Sequence, residues 1–149
     1  MSVQGVLNIA CEDKVTKEIV YRESIKNTIC NALYDKIVNL LADNSSDSIA
    51  EIQVGVGTTV PLPTDTALAS PITPTIDGTG NNTITFAADG AYGLEIIGVL
   101  AWDSGNGFAI SEAGLRTTAG TLVARATFAK KMKSEEYNFI FTWTLSRST

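Results

Sequence analysis

The chain has 149 residues, enough for one domain with an apolar core and no need of disulfides or metals. With 44% hydrophobic and 18% charged residues it is a folding sequence rather than a disordered one, and 11 Lys and Arg against 16 Asp and Glu, a net charge of -5, argue against nucleic acid as a partner. It has no histidine, which removes Ser-His-Asp and Cys-His catalysis, His-ligated zinc and His-based pH switching.

The opening "MSVQGVLNIACED" lacks the basic start and long apolar run of a secretory signal. No window approaches about 18 uninterrupted apolar residues, so no membrane partner is expected. "VLNIA" and "VTKEIVYRE" read as two strands around the polar turn "CEDK". From Ser24 to Asp43 the period changes. Ile25, Ile29, Leu33, Ile37, Leu40 and Leu41 recur at spacings of three and four, which predicts one amphipathic helix over about 24–43. Ser24 is its expected N-cap, and "DNSSDS" ends it. "IAEIQVGVG" is a strand running into glycines. The segment 57–82 holds all four prolines, Pro61 and Pro63 among them, and reads as an extended loop with a short helical turn near Asp65–Leu68. A loop of that length in a compact domain is usually functional, and an arm gripping a neighbour is the expectation.

From Thr83 onward the pattern is entirely β: "TITFAADG", "GLEIIGVLAW", "GFAISEAGL", "TLVARATFA" and "YNFIFTWTLS". In the last, Tyr137, Phe139, Phe141, Trp143 and Leu145 alternate with polar residues, with Ile140 the exception, which predicts a half-buried antiparallel strand central to the core. "TTAG" predicts a tight hairpin, with Gly120 available for positive φ. Eight or nine strands and one helix fit a single mainly β domain over 1–149, with antiparallel sheets in a β-sandwich or jelly-roll arrangement.

Chemistry-bearing motifs are scarce. "GVGTTV" lacks the Gly-Lys-Ser/Thr of a phosphate loop and the third glycine of a dinucleotide fingerprint, so a strand-ending turn is the reading. Cys11 and Cys30 form no CxxC and read as small buried apolar residues, their pairing left open. The sequons at Asn44 and Asn81 read as loop chemistry. Glu12/Asp13 and Glu135/Glu136 read as solvated turn charge, and "AKKMKSEE" as a charged hairpin loop. Glu112, set among Ile110, Ala113, Gly114 and Leu115, is expensive to bury unpaired. It reads as a structural acceptor for backbone N–H groups or for Arg116 or Arg125. Trp102 in "LAWDSGNG" reads as a strand-end core residue, or as an exposed aromatic that would bind carbohydrate. No catalytic residue, cofactor or metal is implied.

"IKNTICNALYDKIVNLLAD" followed by "EIQVGVGTTVPLPTDTALASPI", then "ISEAGL", a hairpin, "GTLVARATF" and "FTWTLS", resembles a pattern of tailed-bacteriophage virion structural proteins over residues 25 to 146. Similar blocks occur in small virion proteins and in attachment domains of tail fibres. The resemblance implies a non-enzymatic virion component, assembled in the host cytoplasm, that docks on another virion protein as a homo-oligomer. No repetitive shaft follows the β-rich part, which favours a compact protein added to a shell or tail. A capsid decoration or cement protein leads, with a tail, neck or baseplate adaptor as alternative and a host-surface carbohydrate-binding module as the reading of another class. The expected interface and structural residues are Pro61, Pro63 and Asp65 on the loop, with Glu112, Arg116, Arg125 and Trp102. Glu112 is expected to fix the hairpin 115–121, and the loop to lie across a neighbouring subunit.

Overall fold

The computed structural model describes residues 2–42, 47–90 and 93–147. Among them lie eight strands and one helix in the order β1 (Val3–Asp13), β2 (Ile19–Ile29), α1 (Asn31–Leu41), β3 (Ile49–Gly55), β4 (Thr83–Asp89), β5 (Gly93–Leu100), β6 (Ala109–Thr117), β7 (Leu122–Met132) and β8 (Tyr137–Arg147). The strands follow one another in space as β3-β6-β7-β2-β1-β8-β5-β4, every neighbouring pair antiparallel, in a sheet nearly closed into a barrel-like shape. The chain is thus mainly β and antiparallel with one helix, as its patterning implies.

The link between β2 and β7 is short, Thr28 opposite Arg125 and Ile29 opposite Ala124. It divides the sheet into a five-strand and a three-strand part whose inner faces share one core. β8 lies between β1 and β5, and its alternation is the one expected: Phe139, Phe141, Trp143 and Leu145 are buried, while Ile140, Thr142 and Thr144 are half-buried on the other face. Opposite them stand Leu7, Ile9 and Ile96, with Ile52, Ile76 and Ile110 completing the core. Each such side chain contributes roughly 1.5–3 kcal/mol by leaving water.

The helix begins later than the spacing predicts. Residues 24–29 belong to β2, and α1 starts at Asn31 with Cys30 as its N-cap. Ile25 and Ile29 are four apart, a spacing that suits a strand as well as a helix. The residue between them on the inner face is the polar Asn27, buried opposite Gly5 of β1, so alternation is masked in the sequence. Long-range pairing with β1 decides the matter. Asp43 and the Asn44 sequon lie outside the described residues.

Two further expectations change. No helical turn forms at Asp65–Leu68; the chain instead turns over 62–65, with Asp65 N–H donating to the Leu62 carbonyl at 3.0 Å. "AKKMKSEE" is not a solvated loop. β7 continues to Met132, and both Lys131 and Lys133 are buried. Lys131 Nζ pairs with Glu23 at 2.6 Å and lies over the Tyr21 ring. Lys133 Nζ donates to Asn106 at 2.9 Å and to the Ser134 carbonyl at 3.1 Å. Burial pushes the Lys133 ammonium down to about 8, with the Asp103 charge opposing. Cys11 and Cys30 are both free thiols and buried.

Candidate functional site

β6 carries Ser111 and Glu112 into the interior, where neither is exposed. Glu112 stands opposite Gly55 in the β3–β6 pairing. Gly55 and Gly57 leave the space that its side chain fills: a Cβ on Gly55 would come within 2.6 Å of Glu112 Oε2, and one on Gly57 would collide with the same atom. The carboxylate accepts three backbone N–H groups. Gly57 and Ser70 each donate to Oε2 at 2.8 Å, and Ala69 donates to Oε1 at 3.0 Å. The Ser111 hydroxyl donates to the Gly57 carbonyl at 2.7 Å. The remaining partner is Arg125 of β7, whose Nε and Nη2 reach Glu112 Oε1 at 3.3 and 3.1 Å. A buried carboxylate is tolerated when its lone pairs are filled in this way.

Arg125 is as deeply buried as its partner and spreads its planar fork over the loop. Nη1 pairs with Asp65 Oδ2 at 2.7 Å, and Nη2 donates to the Thr59 carbonyl at 3.0 Å and hydroxyl at 2.9 Å. Asp65 Oδ2 also accepts the Leu62 N–H at 2.9 Å. That backbone donor first, and Arg125 next against the opposing cost of burial, hold the Asp65 carboxyl below its ordinary value. The Pro63 carbonyl accepts the Asn31 N–H at 2.8 Å, so the loop supplies the N-terminal partner that α1 lacks from its own side chains.

The loop 57–82 is therefore not a free arm. Leu68, Ile72 and Ile76 are buried against the body, and Ile76 exchanges two backbone hydrogen bonds with Ile52 of β3. What it presents is a tip between two anchors: Thr58, Thr59, Val60, Leu62 and Pro63 are exposed, Val60 to 77% and Leu62 to 53%. Pro61, between them, is half-buried.

Glu112, Arg125 and Asp65 thus meet, on the loop that also carries Pro61 and Pro63. Arg116 does not join them. It pairs with Glu51 at 3.3 Å, and its Nε donates to the Gly120 carbonyl at 3.3 Å. Glu112 consequently fixes the loop and not the hairpin 115–121. The hairpin has Gly120 at φ 86° and is held by Arg116 and by Asp47, which accepts the Ala119 N–H at 2.9 Å and the Thr117 hydroxyl at 2.8 Å. Lys36 of α1 pairs with Asp47 at 2.7 Å, joining helix to hairpin. Lys36 first, then Ala119 and Thr117, draw the Asp47 carboxyl down to about 2. The sequence carries no local signal for this tie: Asp47 sits in the polar run "DNSSDS", eleven residues after Lys36, and no motif links either to the hairpin. Thr59 is equally silent, since its role depends on Arg125, 66 residues away.

Trp102 is no core residue. β5 ends at Leu100, and the indole, 40% exposed, lies in the loop that follows with the Lys14 ammonium 4.6 Å from its centroid. Its backbone is what is anchored, donating to Asn138 Oδ1 at 2.8 Å. Beside it Asp103 accepts a hydrogen bond from Asn81 at 2.8 Å. Compared with family models, curated proteins and solved structures, the chain matches none.

Proposed function

We propose that this chain is a non-enzymatic bacteriophage virion protein, a capsid decoration or cement protein that docks on the particle through the tip of the loop 57–70. The observation that carries the reading is the buried Glu112–Arg125 pair. It spends a carboxylate and a guanidinium on holding one loop, whose tip then presents Val60 and Leu62 to solvent in fixed positions. A preorganised apolar tip loses little conformational freedom on docking. Repetition over a symmetric lattice multiplies a modest single-site affinity. A tail, neck or baseplate adaptor would use the same tip on a different surface.

A second reading rests on Trp102. An exposed indole beside Asp103 and Asn106 is the type of surface that stacks on a sugar ring, and it supports a host-surface carbohydrate-binding module. The two readings separate in one experiment. The protein is mixed with shells, tails or host cells that lack it, and co-sedimentation is measured. Saturable binding to shells that Val60→Asp and Leu62→Asp abolish is the expected result. Binding to tails alone moves the protein to the neck or baseplate. Binding to host cells that Trp102→Ala removes, with none to shells or tails, replaces the virion-docking reading by the carbohydrate one.

A further inference from the structure

The two edges of the sheet are β3 and β4. The outer edge of β3 is covered by its own loop: Ile52 and Ile76 exchange backbone hydrogen bonds at 3.0 and 2.8 Å, Ile72 N–H donates to Val54, and Val56 N–H donates to Ser70. Among the described residues β4 has no such cover. Its backbone pairs with β5 on one side, and among the described residues no other main-chain group bonds to it. Six of its seven residues are exposed. Soluble proteins blunt open edges with lysine, proline, a bulge or an overlying segment. "TITFAAD" has no lysine, no proline and an unbroken register with β5; its one charge is Asp89, at its end.

We propose that β4 pairs with β4 of a second copy of this chain, antiparallel about Phe86. A two-fold axis makes two identical edge strands antiparallel and brings each residue against its mirror position. About Phe86 the pairs are Phe86 with Phe86, Ile84 with Ala88, Thr85 with Ala87 and Thr83 with Asp89. No like charges meet, and each Asp89 carboxylate faces a threonine hydroxyl. The inner-face residues Ile84, Phe86 and Ala88, which stand over Gly98, Ile96 and Leu94, then form one apolar row across both copies. That row continues into an apolar groove of about 470 Å³ beside Phe86, lined by Leu33, Ile37 and Leu40 of α1 with Leu94 and Val123. An incoming strand needs an apolar side chain at every second position to use this groove, and β4 itself has that pattern. A strand pair of this length alone falls short of the roughly 1,200 Å² of a stable complex. The dimer therefore depends on concentration and is favoured where copies are held side by side. This surface is separate from the loop tip of the proposed docking role and does not depend on it.

The full chain is examined by sedimentation equilibrium from low to high micromolar concentration. The expected result is a monomer–dimer equilibrium that Phe86→Lys, which sets two ammonium groups face to face, weakens roughly tenfold or more. The register has its own test. Opposed residues in an antiparallel pair have Cα atoms about 4.5–5.5 Å apart, within reach of a disulfide. Phe86→Cys should cross-link to its copy on mild oxidation, whereas Ala88→Cys, set against Ile84, should not. Cys11 and Cys30 stay silent in this assay because both are buried. A native chain that remains monomeric throughout overturns the proposal and leaves the edge to a strand of a different protein. A dimer untouched by Phe86→Lys, or cross-linking through Ala88→Cys alone, overturns it too.

Discussion

β3 and β4 are edge strands of seven residues each, and they finish the sheet in different ways. Beside β3 the chain folds back on itself. Three apolar anchors, three backbone donors on Glu112 and the Arg125 fork hold the loop there. Beside β4 no described residue folds back to pair with it, and six of its seven residues are exposed. One edge is closed by burying charge, which requires many simultaneous contacts and is unforgiving of change. The other is left open with mostly small side chains and one charge, Asp89, at its end, which costs the single chain little.

The largest expected effect comes from breaking the closed edge. Glu112→Gln keeps the shape but removes the charge facing Arg125, and an amide group presents a donor to backbone N–H groups. A loss of up to about 3–5 kcal/mol is expected, the cost of breaking a buried ion pair, which Asp65 offsets in part by keeping its own bond to Arg125. Denaturant unfolding checks it, together with faster proteolysis within residues 57–70. Gly57→Ala comes next, at about 1–3 kcal/mol, because the new methyl group meets Glu112 Oε2 and Ala69 Cβ. A variant as stable as the native chain would show that the clamp has slack.

Two titrations sharpen the comparison away from the loop. Asp47 has a folded-state value of about 2 against an ordinary 3.8. Its contribution is therefore full above 3.8 and is lost as pH falls through about 2. Acid unfolding of Asp47→Asn should lack that part of the slope. Lys133 shows the opposite limit. Its ammonium is charged in both states below about 8, where burial penalises the folded chain, and neutral in both above 10.5, where that penalty is gone. The native chain should gain stability relative to Lys133→Met between those two pH values, and parallel curves would refute the burial cost. The smallest effect is expected at the open edge: Phe86→Lys should change unfolding stability of the monomer by less than about 1 kcal/mol, since the ring is 46% exposed.

Much of the fold was legible along the chain. The alternation through Tyr137–Arg147, the Gly120 hairpin and the strands after Thr83 depend on local period and turn chemistry, and local signals suffice for them. The start of α1 was not legible, because Ile25 and Ile29 satisfy both periods and Asn27 hides the inner face. The partners of Glu112 were narrowed to backbone groups or an arginine by the cost of burying a carboxylate, but Arg116 and Arg125 are equivalent on paper. Which one turns inward depends on register: Gly114 stands opposite Arg125, while Arg116 lies further along β6, against Glu51 and Leu122.

The sequence by itself determined a mainly β, histidine-free, acidic domain with a core strand near its end and a carboxylate that had to be paired. These follow from composition and from periods of two and three to four residues, which the chain carries locally. Only the tertiary structure decided that Glu112 ties down the loop rather than the hairpin, that Asp47 joins helix to hairpin, that Lys131 and Lys133 are buried, and that β4 pairs on one side alone among the described residues. Each of those depends on which distant segments lie side by side. Strand order and register set that, and no spacing along the chain encodes it.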